Sequence, residues 1–205
     1  MATFHRLDRR LVLNIYLTIV GILFVAIAAW FLYGDTFGRQ ESFIGVATTT
    51  QTVISTASHP IQLVIPAAGV DAEVEEVGVT SSGAMATAKK IKNVGWYKYG
   101  VVPGQMGSAV IDGHVDDWVG LAGVFRNLKD LKVGDGVYVD AENGERLHFV
   151  VTDIRIYPYK SVPVEKIFIS NDVPRLNLIT CTGAWIRSEK TYDHRLVVYT
   201  ELRNK

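Results

Sequence analysis

Apolar runs of strand length recur from Pro60 onward: Ile61–Ile65, Ala72–Val79, Ser108–Ile111, Gly136–Val139, Leu147–Ile156, Leu176–Cys181 and Leu196–Leu202. They are rich in Val, Ile and Tyr, and Gly, Pro, Asn and Asp punctuate them, as in Ala141-Glu142-Asn143-Gly144. Runs this short, set between turn residues, predict strands joined by tight connections. The pattern is that of a closed barrel or a sandwich rather than alternating βαβ units. Residues 60–205 are long enough for one domain with its own core. Helix signals are sparse. In Leu121–Leu131, Leu121, Val124, Phe125, Leu128 and Leu131 share one helical face, which predicts a single packing helix.

The segment before the strands has a different composition. Arg6, Arg9 and Arg10 precede an apolar stretch, Leu11–Tyr33, interrupted only by Asn14, Thr18 and Gly21. As a helix it would span roughly 35 Å, enough for a bilayer core of about 30 Å. Trp30 and Tyr33 stand at its far end, where aromatic rings favour the interface. The arginines place residues 1–10 in the cytoplasm and everything after residue 33 outside, so the expected location is the cell membrane, in a single pass. A cleaved signal peptide is the competing reading, with Ala26-Ile27-Ala28 as a small-residue site, but the apolar run continues past it through Trp30, Phe31 and Leu32. Residues 34–59 hold polar, small stretches such as Thr48-Thr49-Thr50-Gln51-Thr52 and read as a flexible tether.

Formal net charge is +0, from 21 Lys and Arg against 21 Asp and Glu. No basic block follows the N-terminus, so nucleic acid is not an expected partner. Cys181 is the only cysteine, and it ends the run Leu178-Ile179-Thr180-Cys181. An internal disulfide is impossible, and a lone thiol in an exported chain is either reactive or buried and inert. His114 follows Ile111-Asp112-Gly113, and Arg195 opens the run Arg195-Leu196-Val197-Val198. A thiolate attacks a carbonyl, an imidazolium protonates a departing amine, and a guanidinium donates hydrogen bonds to an oxyanion. Together these residues suit acyl transfer from an amide through a thioester.

These residues and their surroundings resemble those of sortases. Val94-Gly95-Trp96-Tyr97, Pro103-Gly104, Gly107-Ser108-Ala109-Val110-Ile111-Asp112-Gly113-His114, Leu178-Ile179-Thr180-Cys181 and Arg195-Leu196-Val197-Val198 follow that family in order, over roughly Ile61–Leu202. The resemblance implies a mainly β fold, an eight-stranded barrel with short helices, and a cell-wall transpeptidase of Gram-positive-type bacteria. It makes residues 60–205 the catalytic domain, with Cys181 as nucleophile, His114 as the proton carrier and Arg195 as the arginine. The substrate would be an LPxTG-like sorting signal cut between Thr and Gly, and the acceptor an amine of a cell-wall precursor. The family is thought to work through a thiolate–imidazolium pair present in only a minor fraction of the enzyme. The absence of an apolar span after Arg195 speaks against the pilus-polymerising group, and the motif around His114 looks nearest to classes E and F.

The resemblance also marks candidate substrate contacts. Thr180 precedes the nucleophile, although an inward or cross-strand threonine is the simpler reading. Val162 and Val164 lie in the segment Tyr157–Asn171, which would wall the groove for the signal's Leu-Pro part. Trp185, with Tyr192, would border the side of the second substrate, or simply pack. Arg187 competes with Arg195, which is favoured for its place on a strand. His194 neighbours Arg195 and should face the other way; His148 is expected to be structural. Asp112, Asp116 and Asp117 surround His114. Carboxylates can hold a hard cation, but tuning His114 or capping a loop suits them better, and no metal or cofactor is expected. Two other functions share these residues: a hydrolase with water as acceptor, and a silent, membrane-tethered peptide-binding module.

Overall fold

The computed structural model describes residues 22–23, 27–29, 58–117, 119–170 and 172–203. Most of the apolar stretch Leu11–Tyr33 and of the tether at residues 34–59 lies outside them. Ile22, Leu23, Ile27, Ala28 and Ala29 are helical and exposed. Among the described residues no helix is long and apolar enough to cross a membrane. The chain divides into two units, Met1–Thr52 and Val53–Lys205, and the second contains all the strands found among the described residues.

These are β1 (Pro60–Ile65), β2 (Val70–Val77), β3 (Val94–Tyr97), β4 (Gly107–Gly113), β5 (Gly136–Ala141), β6 (Arg146–Pro158), β7 (Pro174–Ile186) and β8 (Thr191–Leu202). They close into one barrel in the order β1-β2-β3-β4-β7-β8-β6-β5, so no edge is left to pair with another chain. The pairs β2–β3 and β4–β7 are parallel and the others antiparallel. Parallel neighbours need a long crossover. The one from β2 to β3 carries residues 78–93, which return over the barrel wall beside β4.

Side-chain alternation sorts each strand into two faces. On β7, Leu176, Leu178 and Thr180 are buried towards the barrel interior; on β8, Leu196 and Val198 join them. The opposite face of these strands is also largely covered. Val110 of β4 and Val197 and Tyr199 of β8 form a second apolar cluster with Ile167, and Tyr97, Tyr157, Val162, Phe168 and Ile179 pack against it. Ile167 belongs to the short helix Val164–Phe168 and is 0% exposed. Burying a side chain of that size is worth about 1.5–3 kcal/mol. Asn177 fastens the helix from below, its Nδ2 donating to the Ile167 carbonyl at 2.7 Å. The outer wall of β4, β7 and β8 is thereby an apolar floor with a cover along one side.

Residues 121–131 do not form the expected helix. They are turns, with one 3-10 turn at Leu128–Asp130. The backbone donors that would build a helix are used elsewhere: Gly123 N–H bonds the Val115 carbonyl at 3.0 Å, Val124 N–H the Ile91 carbonyl at 3.0 Å, and Phe125 N–H the His114 carbonyl at 2.9 Å. A Cβ at Gly123 would overlap the His114 carbonyl, so only glycine allows this approach. The apolar spacing is still satisfied, because Phe125, Leu128 and Leu131 are buried in the barrel core.

Candidate active site

Strand pairing brings the three reactive side chains of the sequence to one place. Cys181 on β7 is the direct cross-strand partner of Arg195 on β8. On its other side β7 runs parallel to β4, with Asp112 opposite Ile179. Carrying that register forward by one residue pair of the same face sets His114, just past the end of β4, alongside Cys181. Ile179 and Cys181 share the outer face of β7, while Leu178 and Thr180 point inward. The thiol therefore stands at the end of the apolar floor, between a histidine and an arginine.

Burial pushes the Cys181 thiol above its ordinary value; Arg195 opposes the shift, and the carboxyls of Asp112 and Asp116 add to it. The resting thiol is therefore protonated at neutral pH, and a thiolate has to be generated by proton transfer. His114 Nε2 lies 3.0 Å from the Ala88 carbonyl. A carbonyl can only accept, so Nε2 carries the hydrogen of this contact, and Nδ1 is the basic nitrogen of the neutral ring. Arg195 is held from its own strand. Nη1 donates to the carbonyls of Tyr192 at 3.0 Å and His194 at 2.9 Å, and Nη2 donates to Thr191 Oγ1 at 2.8 Å. Its guanidinium lies over the Tyr159 ring, 5.7 Å from the centroid, a geometry in which the ring face attracts the cation.

The other candidates take distinct positions. Thr180 is 4% exposed and its hydroxyl donates to the Gly113 carbonyl at 2.7 Å, tying β7 to β4 directly behind the Cys181–His114 pair. Val162 is half-buried in the outer cluster, whereas Val164 is exposed at the start of the short helix. Trp185 is 52% exposed and meets Tyr192 edge-on, with ring centroids 5.3 Å apart. Arg187 is exposed in the turn between β7 and β8. His194 pairs with Asp193 at 2.7 Å, and His148 stacks on Tyr138 at 4.5 Å.

The three aspartates around His114 are used differently. Asp117 accepts the N–H groups of Val119 and Leu121 at 2.9 and 2.8 Å and shapes the loop. Asp116 accepts the Tyr192 hydroxyl at 2.5 Å and lies 3.7 Å from Arg126. This hydrogen bond raises the Tyr192 phenol to about 12, so the hydroxyl stays a donor and links the β7–β8 hairpin to the His114 loop. Asp112 is half-buried with its Oδ1 out of contact with water, and this burial lifts its carboxyl to about 7. Ala88, Tyr159 and Thr191, which place His114 and Arg195, had no signal in the sequence. Ala88 contributes a backbone carbonyl that any residue type would supply, and Tyr159 lies in an aperiodic connection.

The sortase domain model matches residues 63–203. Among solved structures, sortase C-1 from Actinomyces oris superposes with a TM-score of 0.56 at 24% identity, covering 70% of this chain and 73% of that one. Sortase A from Corynebacterium diphtheriae gives 0.55 at 22% identity, over 72% of this chain and 62% of that one. Sortase C from Clostridium perfringens SM101 gives 0.52 at 21% identity, over 70% and 69%. A search of curated proteins found no match. With the family model matching residues 63–203, nearly the whole barrel, and a cysteine and an arginine on adjoining strands with a histidine just past the end of β4, the chain belongs to the sortase family and is a cysteine transpeptidase.

Proposed function

We propose that the protein is a membrane-anchored transpeptidase that cuts an LPxTG-like sorting signal between Thr and Gly and joins the signal to an amine of a cell-wall precursor. The observation that carries this reading is the register: Arg195 directly opposite Cys181, and Asp112 opposite Ile179 on the parallel strand, whose continuation leads to His114. The Cys181 thiol gives its proton to His114 Nδ1, and the thiolate adds to the threonine carbonyl carbon. Arg195 donates to the oxyanion that forms. As the C–N bond breaks, His114 Nδ1–H protonates the departing glycine amine, leaving a thioester on Cys181. An acceptor amine attacks the thioester carbonyl, its proton passes to His114, and Cys181 leaves as the thiolate, which recovers that proton.

The half-buried Val162 and Ile179, at the margin of the covered apolar cluster, suit the Leu-Pro part of the signal, and Val164 extends their rim. Trp185 and the Tyr192 hairpin flank the other side of Cys181, the side proposed for the acceptor. Leu11–Tyr33 supplies the anchor, with residues 1–10 in the cytoplasm, residues 34–59 as the tether and the catalytic domain, residues 60–205, outside. The Ile111-Asp112-Gly113-His114-Val115-Asp116 motif supports placement near classes E and F.

Alanine at Cys181, His114 or Arg195 should each lower turnover of a sorting peptide by roughly 10²-fold or more while the melting temperature stays near that of the parent. Arg187→Ala should keep most of the activity. An inactive Arg187→Ala beside an active Arg195→Ala would overturn the arginine assignment.

A further inference from the structure

Asp112 is a half-buried residue that the reaction above does not use. It lies on β4, two residues before His114 and on the same strand face, opposite Ile179 of β7 in register. Its Oδ1 is buried with no hydrogen-bond partner. The slot it occupies is specific: a Cβ at Gly95, on the neighbouring strand β3, would overlap that oxygen and crowd the Ala88 amide. The backbone N–H groups of Ala88 and Gly95 face the carboxyl and favour its charged form, while burial and the Glu75 carboxylate on β2 favour the neutral one.

The same short strap reaches His114. The Ala88 amide nitrogen lies at the edge of the slot that Asp112 Oδ1 occupies, and the Ala88 carbonyl lies 3.0 Å from His114 Nε2. The next two residues are fixed by the other carboxylate, with Glu75 accepting the N–H of Lys89 at 2.8 Å and of Lys90 at 3.3 Å. Glu75 thus holds residues 89 and 90, Asp112 sits beside Ala88, and the Ala88 carbonyl in turn contacts the histidine ring.

We propose that Asp112 is a positioning residue for the proposed His114–Cys181 pair: its carboxyl, with Oδ1 buried and unpartnered, packs beside the Ala88 strap that orients His114 and stands on the strand face that leads to the thiol. The inference rests on the pairing proposed above but not on the identity of either substrate. The groups that face Asp112 are Glu75 from β2, the amides of Ala88 and Gly95, Cys181 from β7 and His114 beyond the end of its own strand. As pH rises through neutrality the carboxyl becomes an anion beside the thiol, and a neighbouring anion makes a thiolate harder to form. With Asp112 neutral the restraint is relaxed.

The test is the pH dependence of Cys181 alkylation by iodoacetamide in the full-length protein, the parent against Asp112→Asn, with no peptide present. The expected result is a midpoint at lower pH in Asp112→Asn, and a rate at pH 7.5 raised roughly threefold or more, the effect of about half a pKa unit. In peptide turnover the variant should change kcat and its pH profile while KM stays near the parent value. Superimposable alkylation profiles in two folded proteins would overturn the proposal. Should Asp112→Asn not fold, carbon-13 carboxyl titration of the parent replaces it: a carboxyl titrating near neutrality, sensed by the His114 ring, supports the role, and none above pH 5 overturns it. Alkylation needs no sorting signal, so a shifted profile without any turnover would sink the substrate assignment and leave this inference standing.

Discussion

At the scale of single residues, Cys181, His114 and Arg195 stood out as candidates because acyl transfer requires particular side chains. A thiol, an imidazole and a guanidinium each closing or opening an apolar run stand out in a sequence. Their supports did not, since the Ala88 carbonyl has no residue signature and the tie from Thr180 depends on which strand lies beside β7. Thr180 donates to the Gly113 carbonyl from a buried position. Thr180→Val keeps the shape and removes the hydroxyl, leaving the carbonyl short of a donor. The expected loss is about 1–2 kcal/mol in urea unfolding, with a larger fall in turnover than stability explains if β4 shifts relative to β7. Asp112 sets a pH dependence of stability. Its folded value of about 7 lies above the ordinary 3.8, so between these values the folded state holds more protons than the unfolded one. Stability then falls as pH rises through this window, by up to a few kcal/mol. Unfolding free energies of Asp112→Asn, followed from pH 4 to 8, should lack that decline.

Among the elements, the long apolar runs announced themselves as strands because period and residue type agreed. β3 was not among them: Val94–Tyr97 is short and contains Gly95, so it was visible only as part of a motif. The turns at residues 121–131 were misread as a helix because apolar spacing constrains burial, not hydrogen bonding. Phe125 and Leu128 are buried as a helix face would be, yet the Phe125 N–H serves the His114 carbonyl. This segment is therefore part of the site's scaffold. Gly123→Ala should cost about 1–3 kcal/mol by thermal or urea unfolding, because its Cβ meets backbone that has no free space. The β7–β8 hairpin is latched by Tyr192 to Asp116. Removing the hydroxyl in Tyr192→Phe should reduce transfer to an amine more than it reduces thioester formation, measured as the ratio of joined to hydrolysed peptide. An unchanged ratio would mean that the latch has no part in the acceptor side.

For the whole molecule, closure of the barrel puts one face of β4, β7 and β8 into the core and turns the other outward, where the short helix covers part of it. The outer face carries the apolar floor, Asp112, Cys181 and Arg195 in a line, and the cover Tyr157–Ile169 borders it. A barrel or sandwich was readable from the run lengths and the turn residues between them, and the eight-stranded barrel only from the family resemblance. The strand order was not, because the parallel partnership of β4 with β7 joins segments separated by β5 and β6, and only that partnership sets His114 beside Cys181. The central claim is a thioester on Cys181 that an amine resolves. The most direct test incubates the full-length protein with a panel of LPxTG-like peptides, with and without a glycine or diamino-acid amine, and reads intact masses. The expected result is an adduct of the peptide's N-terminal portion in the parent, absent from Cys181→Ala, together with amine-joined product. A folded parent with a free thiol that forms no adduct with any peptide, or one that yields only hydrolysed peptide at saturating amine, would contradict it.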